Sequence, residues 1–431
     1  MPEPKMIVSA LIFIVTFTLI MSEKVHRTTA AMLGASAMVL AGTWMGFYNA
    51  EEAFKAVDLE TIGLLMGMMI ILAMLERTGF FEYVAIFAAL RSKGNPVVLL
   101  VALGTTTTVL SMFLDNVTTV VLIGPVTILI CRMLGISPVP FLMAEALLSD
   151  TGGVATLVGD PPNIMIGSAS GLTFMDFIIH LAPQVLVAWI IALVVLMIVF
   201  RKTLRKKPKG LDALMHMDVA SVLKDRVNAR RLMIVLGAVI VLFFLHSAIH
   251  LKPSVVALMG AAAALLWVRP RVEEIFTQVE LAVLVFFAAL FVTVGGLEHS
   301  GILTVLAKSI VGLAKSNCLH CCIFLIWASA VASALVDNIP FTMAMIPVIQ
   351  YLETQGVMVT PLWWALALGV GFGGNGTPIG STANVVIVSL SEKTSTPITT
   401  RIWLKSGLVV MLATCMAATL TFILFFNFMK Y

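Results

Sequence analysis

Long apolar runs, bounded or broken by a few polar residues, constrain this chain more than any other feature. Many exceed the roughly 18 residues that identify a membrane span. In hydrocarbon every backbone N–H and C=O must be bonded within the protein, so such spans form as α-helices. Where a run breaks, the freed backbone must be buried in protein or line a wet cavity. Two interruptions stand close together. One is Ser111-Met112-Phe113-Leu114-Asp115-Asn116-Val117-Thr118-Thr119; the other runs from Asp150-Thr151-Gly152-Gly153 to Gly159-Asp160-Pro161-Pro162-Asn163. A carboxylate at that depth is costly and marks an ion pathway.

Composition agrees. The 431 residues are 60% hydrophobic and only 12% charged, with a mean hydropathy of +1.05. A soluble domain carries about a quarter charged residues. The fold class expected is therefore an all-α polytopic membrane protein. The net charge of +4 is modest and its basic residues sit at span ends, which suits a lipid bilayer and not nucleic acid. Of five cysteines, Cys131 and Cys415 lie in apolar runs and read as packing residues. Cys318 shares a helical face with Cys321 or Cys322, a spacing open to a soft metal or metalloid. Small residues entering a helix is the simpler reading, and no zinc spacing is present. No cofactor and no metal is expected. Met6 to Met21 is apolar, but Lys5 alone precedes it and no small-residue site follows, so it reads as a span and not a cleaved signal.

The chain repeats itself. Leu75-Glu76-Arg77-Thr78-Gly79 returns as Leu297-Glu298-His299-Ser300-Gly301. Asp115-Asn116 returns as Asp337-Asn338, and 337 − 115 = 222. Gly153, Thr156, Gly159 and Asn163 return as Gly374, Thr377, Gly380 and Asn384, each offset by 221. Two five-crossing repeats are expected. The first covers residues 1–208, with a re-entrant hairpin about 96–134 and a broken helix about 141–171. A cytoplasmic linker covers 209–229, and the second repeat covers 230–431, with a hairpin about 319–350 and a broken helix about 361–391. Two full spans are the alternative for each hairpin. If the basic stretch from Arg201 to Arg231 is cytoplasmic, the N-terminus lies outside and the halves have opposite orientation. That is the inverted-repeat plan of secondary transporters, with the site near the midplane between broken helices.

The polar interruptions supply the candidate site. Solute ligands are expected among Asp115, Asn116, Thr118, Thr151, Gly153, Asn163, Asp337, Asn338, Asn375, Thr377 and Asn384. Asn offers both donor and acceptor, and half-helix termini add partial charges. Such a site can hold an oxyanion, a neutral hydroxide or a cation. The simpler role for the Asp-Asn pairs is capping of the hairpin tips. Asp150, Asp160 and Glu145 have no acidic counterparts; Ser381 stands where Asp160 would be. Titratable groups concentrated in the first half suit proton coupling, although Asp160 has the alternative role of capping the half-helix after it.

At these residues the chain resembles the ArsB/NhaD ion transporter superfamily, which contains arsenite pumps, sodium/proton antiporters and the melanosomal P protein. The resemblance rests on Phe113-Leu114-Asp115-Asn116-Val117-Thr118-Thr119, Gly152-Gly153 and Gly159-Asp160-Pro161-Pro162-Asn163, and extends over both repeats. It implies ten or so spans, a scaffold domain with a transport domain, and often a homodimer. The expected function is proton-coupled export of arsenite or antimonite across a bacterial-type inner membrane, with no enzymatic activity. Sodium/proton exchange and an anion transporter or channel are the alternatives. No nucleotide-binding loop is present, so any use of ATP calls for a separate ATPase subunit.

Overall fold

Helix boundaries follow from local chemistry throughout. The computed structural model describes residues 3–22, 24–206, 208 and 222–430. Helix α1 (Pro4–Met21) and α2 (Arg27–Met45) form an antiparallel pair, closed after α2 by Gly46 at φ +70°. Short α3 (Ala50–Ala56) starts on an Asn49/Glu52 capping box, and Asp58 caps α4 (Leu59–Glu76). Helix α5 (Phe80–Arg91) lies before a helical hairpin of α6 (Pro96–Ser111) and α7 (Asn116–Leu134). Asn95 caps α6 and Asp115 caps α7. Then α8 (Val139–Gly153) stops, and α9 (Pro161–Ser170) restarts on a proline suited to a first helical turn. Helices α10 (Phe174–His180), α11 (Ala182–Val199) and α12 (Arg201–Leu204) end the first half.

The second half runs in the same order. It comprises α13 (Arg226–Leu245), α14 (Pro253–Val268), α15 (Val272–Phe276), α16 (Leu281–His299) and α17 (Ile302–Ser316). The hairpin α18 (Cys318–Leu335) and α19 (Asn338–Thr354) follows, then α20 (Thr360–Gly373), α21 (Thr382–Glu392) and α22 (Thr400–Leu424). Starts recur at the spacing of the motifs: 226 − 4, 281 − 59 and 338 − 116 all equal 222, and 382 − 161 equals 221. Even the proline inside α7, Pro125, recurs as Pro347 inside α19.

Packing crosses between the halves. Helix α2 lies against α16 and α4 against α14, a pair of contacts that exchange under the repeat. Likewise α7 meets α21 and α9 meets α19, while α11 lies along α22. Every residue of α8 is buried, as is α20 from Pro361 to Gly373, so the broken helices form the centre. Outer helices expose apolar side chains such as Leu186 and Ile190, as contact with lipid requires.

Among the described residues, nine helices are long and apolar enough to cross a membrane. They include one arm of each hairpin, α7 and α18, which are long and apolar enough by themselves. A helix of 18 residues is about 27 Å long, close to the hydrocarbon thickness. The protein is a multi-pass, all-helical membrane protein; the described residues contain no strand. Residues 209–221 of the expected linker lie outside the described residues. The last four residues of that stretch, Arg226 to Ala229, are already helical, because Asp225 caps α13 through the Asn228 N–H.

Candidate functional site

The two breaks share one internal frame. In the first, Asn163 Nδ2 donates to the carbonyls of Gly153, Val154 and Thr156 at 3.3, 3.1 and 2.8 Å. The Thr156 hydroxyl accepts from the Gly159 N–H and donates to the Met112 carbonyl in the hairpin turn. In the second, Asn384 Nδ2 donates to the carbonyls of Gly374 and Thr377 at 2.8 and 3.1 Å. Thr377 Oγ1 donates to the Ala334 carbonyl at 2.5 Å. A Cβ on Gly159 would fall 2.5 Å from the Gly153 oxygen and 2.7 Å from the Ser111 oxygen. Only glycine lets the strands of the break approach so closely.

The expected ligand set divides by what each side chain is bonded to. The donors of Asn163, Thr377 and Asn384 are committed to backbone carbonyls, which frames the breaks, while Asn384 Oδ1 is buried without a hydrogen-bond partner. Gly153 contributes close approach and a carbonyl, not a side chain. Thr118 serves Asp115, which accepts its N–H at 2.9 Å and its hydroxyl at 2.5 Å; this is the tip-capping role. Glu145 accepts a hydrogen bond from Thr127 of α7, more than two turns before α8 stops, and no hydrogen bond among the described residues joins it to the other acids.

The remaining candidates meet one another, mostly across the halves. Asn116 Nδ2 donates to Asp150 Oδ1 at 2.7 Å, and Ser381 Oγ donates to the same oxygen at 3.0 Å. Asn338 Nδ2 donates to Asp160 Oδ2 at 3.3 Å. Asn375 Nδ2 donates to Thr151 Oγ1 at 3.1 Å. Asp160 precedes α9 but makes no side-chain bond to it; its carboxylate turns to the other half. The helix-capping alternative for Asp160 is thus set aside. Asp337 likewise makes no cap bond and accepts from Thr382 Oγ1 at 3.2 Å. Asp150 Oδ2, Asp160 Oδ1, Asp337 Oδ1 and Asn375 Oδ1 are buried without a hydrogen-bond partner. Unpaired buried oxygens of this kind call for a proton, a cation or a polar guest.

Of these four residues Asp337 lines a neighbouring cavity, while Asp160 lines one of about 40 Å³, together with Asp115, Asn116, Asn338, Ser381, Thr382, Arg27 and Glu280. That is room for a water or a small ion. Asn116, Pro161, Asn338 and Thr382, the first residues of α7, α9, α19 and α21, all line it. Four helix N-termini therefore converge on one point. Their partial positive charges offset the carboxylates and favour an oxygen-rich or anionic guest.

Sequence reasoning missed three contributors. Thr382 and Glu280 gave a usable signal, since the 221 and 222 offsets place them opposite Pro161 and Asp58. Arg27 gave none: a basic residue where a helix starts reads as an ordinary interfacial charge. It reaches the site because the corner between α1 and α2 folds inward. Its Nη1 donates to Thr382 Oγ1 at 2.7 Å, and its guanidinium lies 5.4 Å from the centre of the Phe286 ring.

Comparison with known proteins agrees with this architecture. The profile of a family described as CitMHS, citrate transporter, matches residues 17–369. A 46 kDa membrane protein of Mycobacterium leprae is 38% identical over 411 residues, covering 94% of this chain and 95% of the relative. An uncharacterized transporter of Mycobacterium tuberculosis is 39% identical over 415 residues, with the same coverage. The P protein of Homo sapiens is 32% identical over 494 residues; the match takes in 96% of this chain but only 59% of that longer protein. Among solved structures, the YdaH transporter of Alcanivorax borkumensis, described as having an unusual topology, superposes with a TM-score of 0.58 at 15% identity. It covers 99% of both chains, a likeness of fold alone.

Proposed function

Because this chain belongs to the citrate transporter family CitMHS, within the ArsB/NhaD superfamily, we propose that it is a proton-coupled secondary transporter working by alternating access. It is a membrane transporter and not an enzyme. The observation that carries the proposal is the pair of bonds from Asn116 to Asp150 and from Asn338 to Asp160. Each joins a hairpin tip to a buried acid of a broken helix. A proton arriving on either acid changes what the tip is bonded to, which is the link that coupling needs. The two halves act as inverted repeats, the hairpins re-enter from opposite faces, and the N-terminus lies outside a bacterial-type inner membrane.

The substrate we favour is a small uncharged hydroxide, arsenite or antimonite, moving outward. Four helix N-termini and the Asn116 and Asn338 amides supply donors, and Asp115 and Asp160 supply acceptors, with Asp337 on the adjoining cavity. Such a set fits a trihydroxide better than a tricarboxylate, which would meet buried carboxylates head on. Sodium/proton exchange is the second reading, favoured by the acid-rich lining and small volume of the cavity. A homodimer and a separate ATPase subunit are further partners to test.

Counterflow in proteoliposomes decides between these readings. Arsenite, sodium and citrate are offered in turn, with and without a pH gradient. Arsenite exchange accelerated by the gradient is the expected result. Sodium exchange alone would establish the second reading, and movement of citrate alone would overturn both.

A further inference from the structure

We propose that Arg27 is a tethered cation of the transport site, held beside Asp337 where a free alkali cation would otherwise bind. The inference rests on reading the central cavity as that site.

The two hairpin tips carry the same Asp-Asn pair but treat the aspartate differently. Asp115 is satisfied by its own helix, through the N–H and hydroxyl of Thr118. Asp337 is held less closely: the backbone N–H groups of Asn338 and Ile339 face its carboxylate, but neither closes a cap bond, and its Oδ1 is buried without a partner. Its other oxygen, Oδ2, accepts from Thr382 Oγ1 at 3.2 Å, and that hydroxyl in turn accepts from Arg27 Nη1 at 2.7 Å. The result is a relay from guanidinium to hydroxyl to carboxylate. It joins the start of α2, the start of α21 and the second hairpin tip.

The relay exists once. At the observed offsets Arg27 corresponds to Ile249 and Thr382 to Pro161, neither of which can take part. The first tip needs no cation, and the second has one supplied by the chain. Arginine suits this role because it stays charged at any accessible pH, and its planar head lies near Phe286. A larger cavity of about 310 Å³ opens beside the relay, lined by His26, Arg27, Asp337 and Thr382 together with apolar residues. It has the room and the access for a hydrated ion once the guanidinium is gone.

The test is thermal unfolding of the purified full-length protein in nanodiscs, in sodium or choline chloride at equal ionic strength. The unsubstituted protein and Arg27→Lys should unfold at the same temperature in both salts. Arg27→Gln should be less stable in choline and recover in sodium, with a Tm higher by about 3 °C, the size set by ligand linkage. Combining Arg27→Gln with Asp337→Asn should abolish the sodium response. The proposal is overturned if Arg27→Gln shows no sodium response, or if the unsubstituted protein shows one that depends on Asp337. If Arg27→Gln does not fold in either salt, pairing it with Asp337→Asn must restore folding; absence of rescue overturns the proposal too. The readout is binding, so it stands apart from which solute moves, and a failure of the flux assays leaves it measurable.

Discussion

Asp150 and Asp160 differ from Asp115 in what holds them. Asp115 serves its own helix start, whereas the other two are bonded to residues of distant elements and keep one oxygen unpaired. A group that changes charge in a transport cycle needs that freedom. Asp150→Asn and Asp160→Asn are therefore expected to weaken pH-gradient-driven transport more than exchange at equal pH. The amide has nearly the volume of the carboxylate, so folding should survive. Asn116→Ala should impair both modes, since it removes an amide from the cavity wall. Measuring both modes on each purified variant checks this, and equal losses in the aspartate variants would place Asp150 and Asp160 in the frame of the site and not in coupling. Glycine makes a separate case. Gly159→Ala drives a methyl into two backbone oxygens and should cost about 1–3 kcal/mol, the range for overpacking, read as a lower Tm.

Elements contribute through their ends. Asp115 caps α7 at the cavity, so Asp115→Ala should cost about 1 kcal/mol by loss of the cap, whereas Asp115→Asn should preserve most of it. Comparing Tm values of the two variants separates capping from charge. Far from the site, Arg77 at the end of α4 pairs with Glu274 of α15 and holds its carboxyl below the usual range. A depressed pKa contributes stability above the ordinary glutamate value and loses it as pH falls through the folded value. Both side chains are well exposed, so screening makes the contribution small. Arg77→Ala should flatten the acid side of the stability–pH curve slightly, and added salt should mimic the substitution.

At the scale of the whole molecule, the halves interlock instead of standing side by side. Asn338 to Asp160 and Ser381 to Asp150 are both bonds between halves, at the proposed transport site. Thiols lie outside that frame: Cys318 and Cys322 approach to 4.0 Å at the outer start of α18, and the other three cysteines are buried. A variant with all five cysteines changed to Ser or Ala should keep its transport activity; loss traced to Cys318, Cys321 or Cys322 would implicate thiol chemistry. In that cysteine-free background, a single cysteine at Lys5 should react with an impermeant maleimide on intact cells, and one at Lys202 should not. The reverse pattern would invert the proposed orientation.

Much of this was legible without coordinates. Apolar runs of span length leave the backbone no choice but helix, because lipid offers it no partners. Gly, Pro and Asn clusters mark where helices stop, since each acts through its own backbone. An offset of 222 between Asp115 and Asp337, and of 221 between Gly159 and Gly380, exposes duplication from identity alone. Those signals are local or self-referential, and a linear string carries them whole. What the string does not carry is which distant groups face each other. Asn163 and Asn384 suggest solute ligands in the sequence, but only the structure shows their amides bonded to backbone carbonyls of the breaks. Asp160 read equally well as a cap until its carboxylate was found on Asn338. Arg27 was invisible, because its place depends on a corner some 355 residues away from Thr382 folding inward against it. Hydrogen bonding at these sites is settled by directions fixed to within a few ångströms, and only the packing of both halves together sets them.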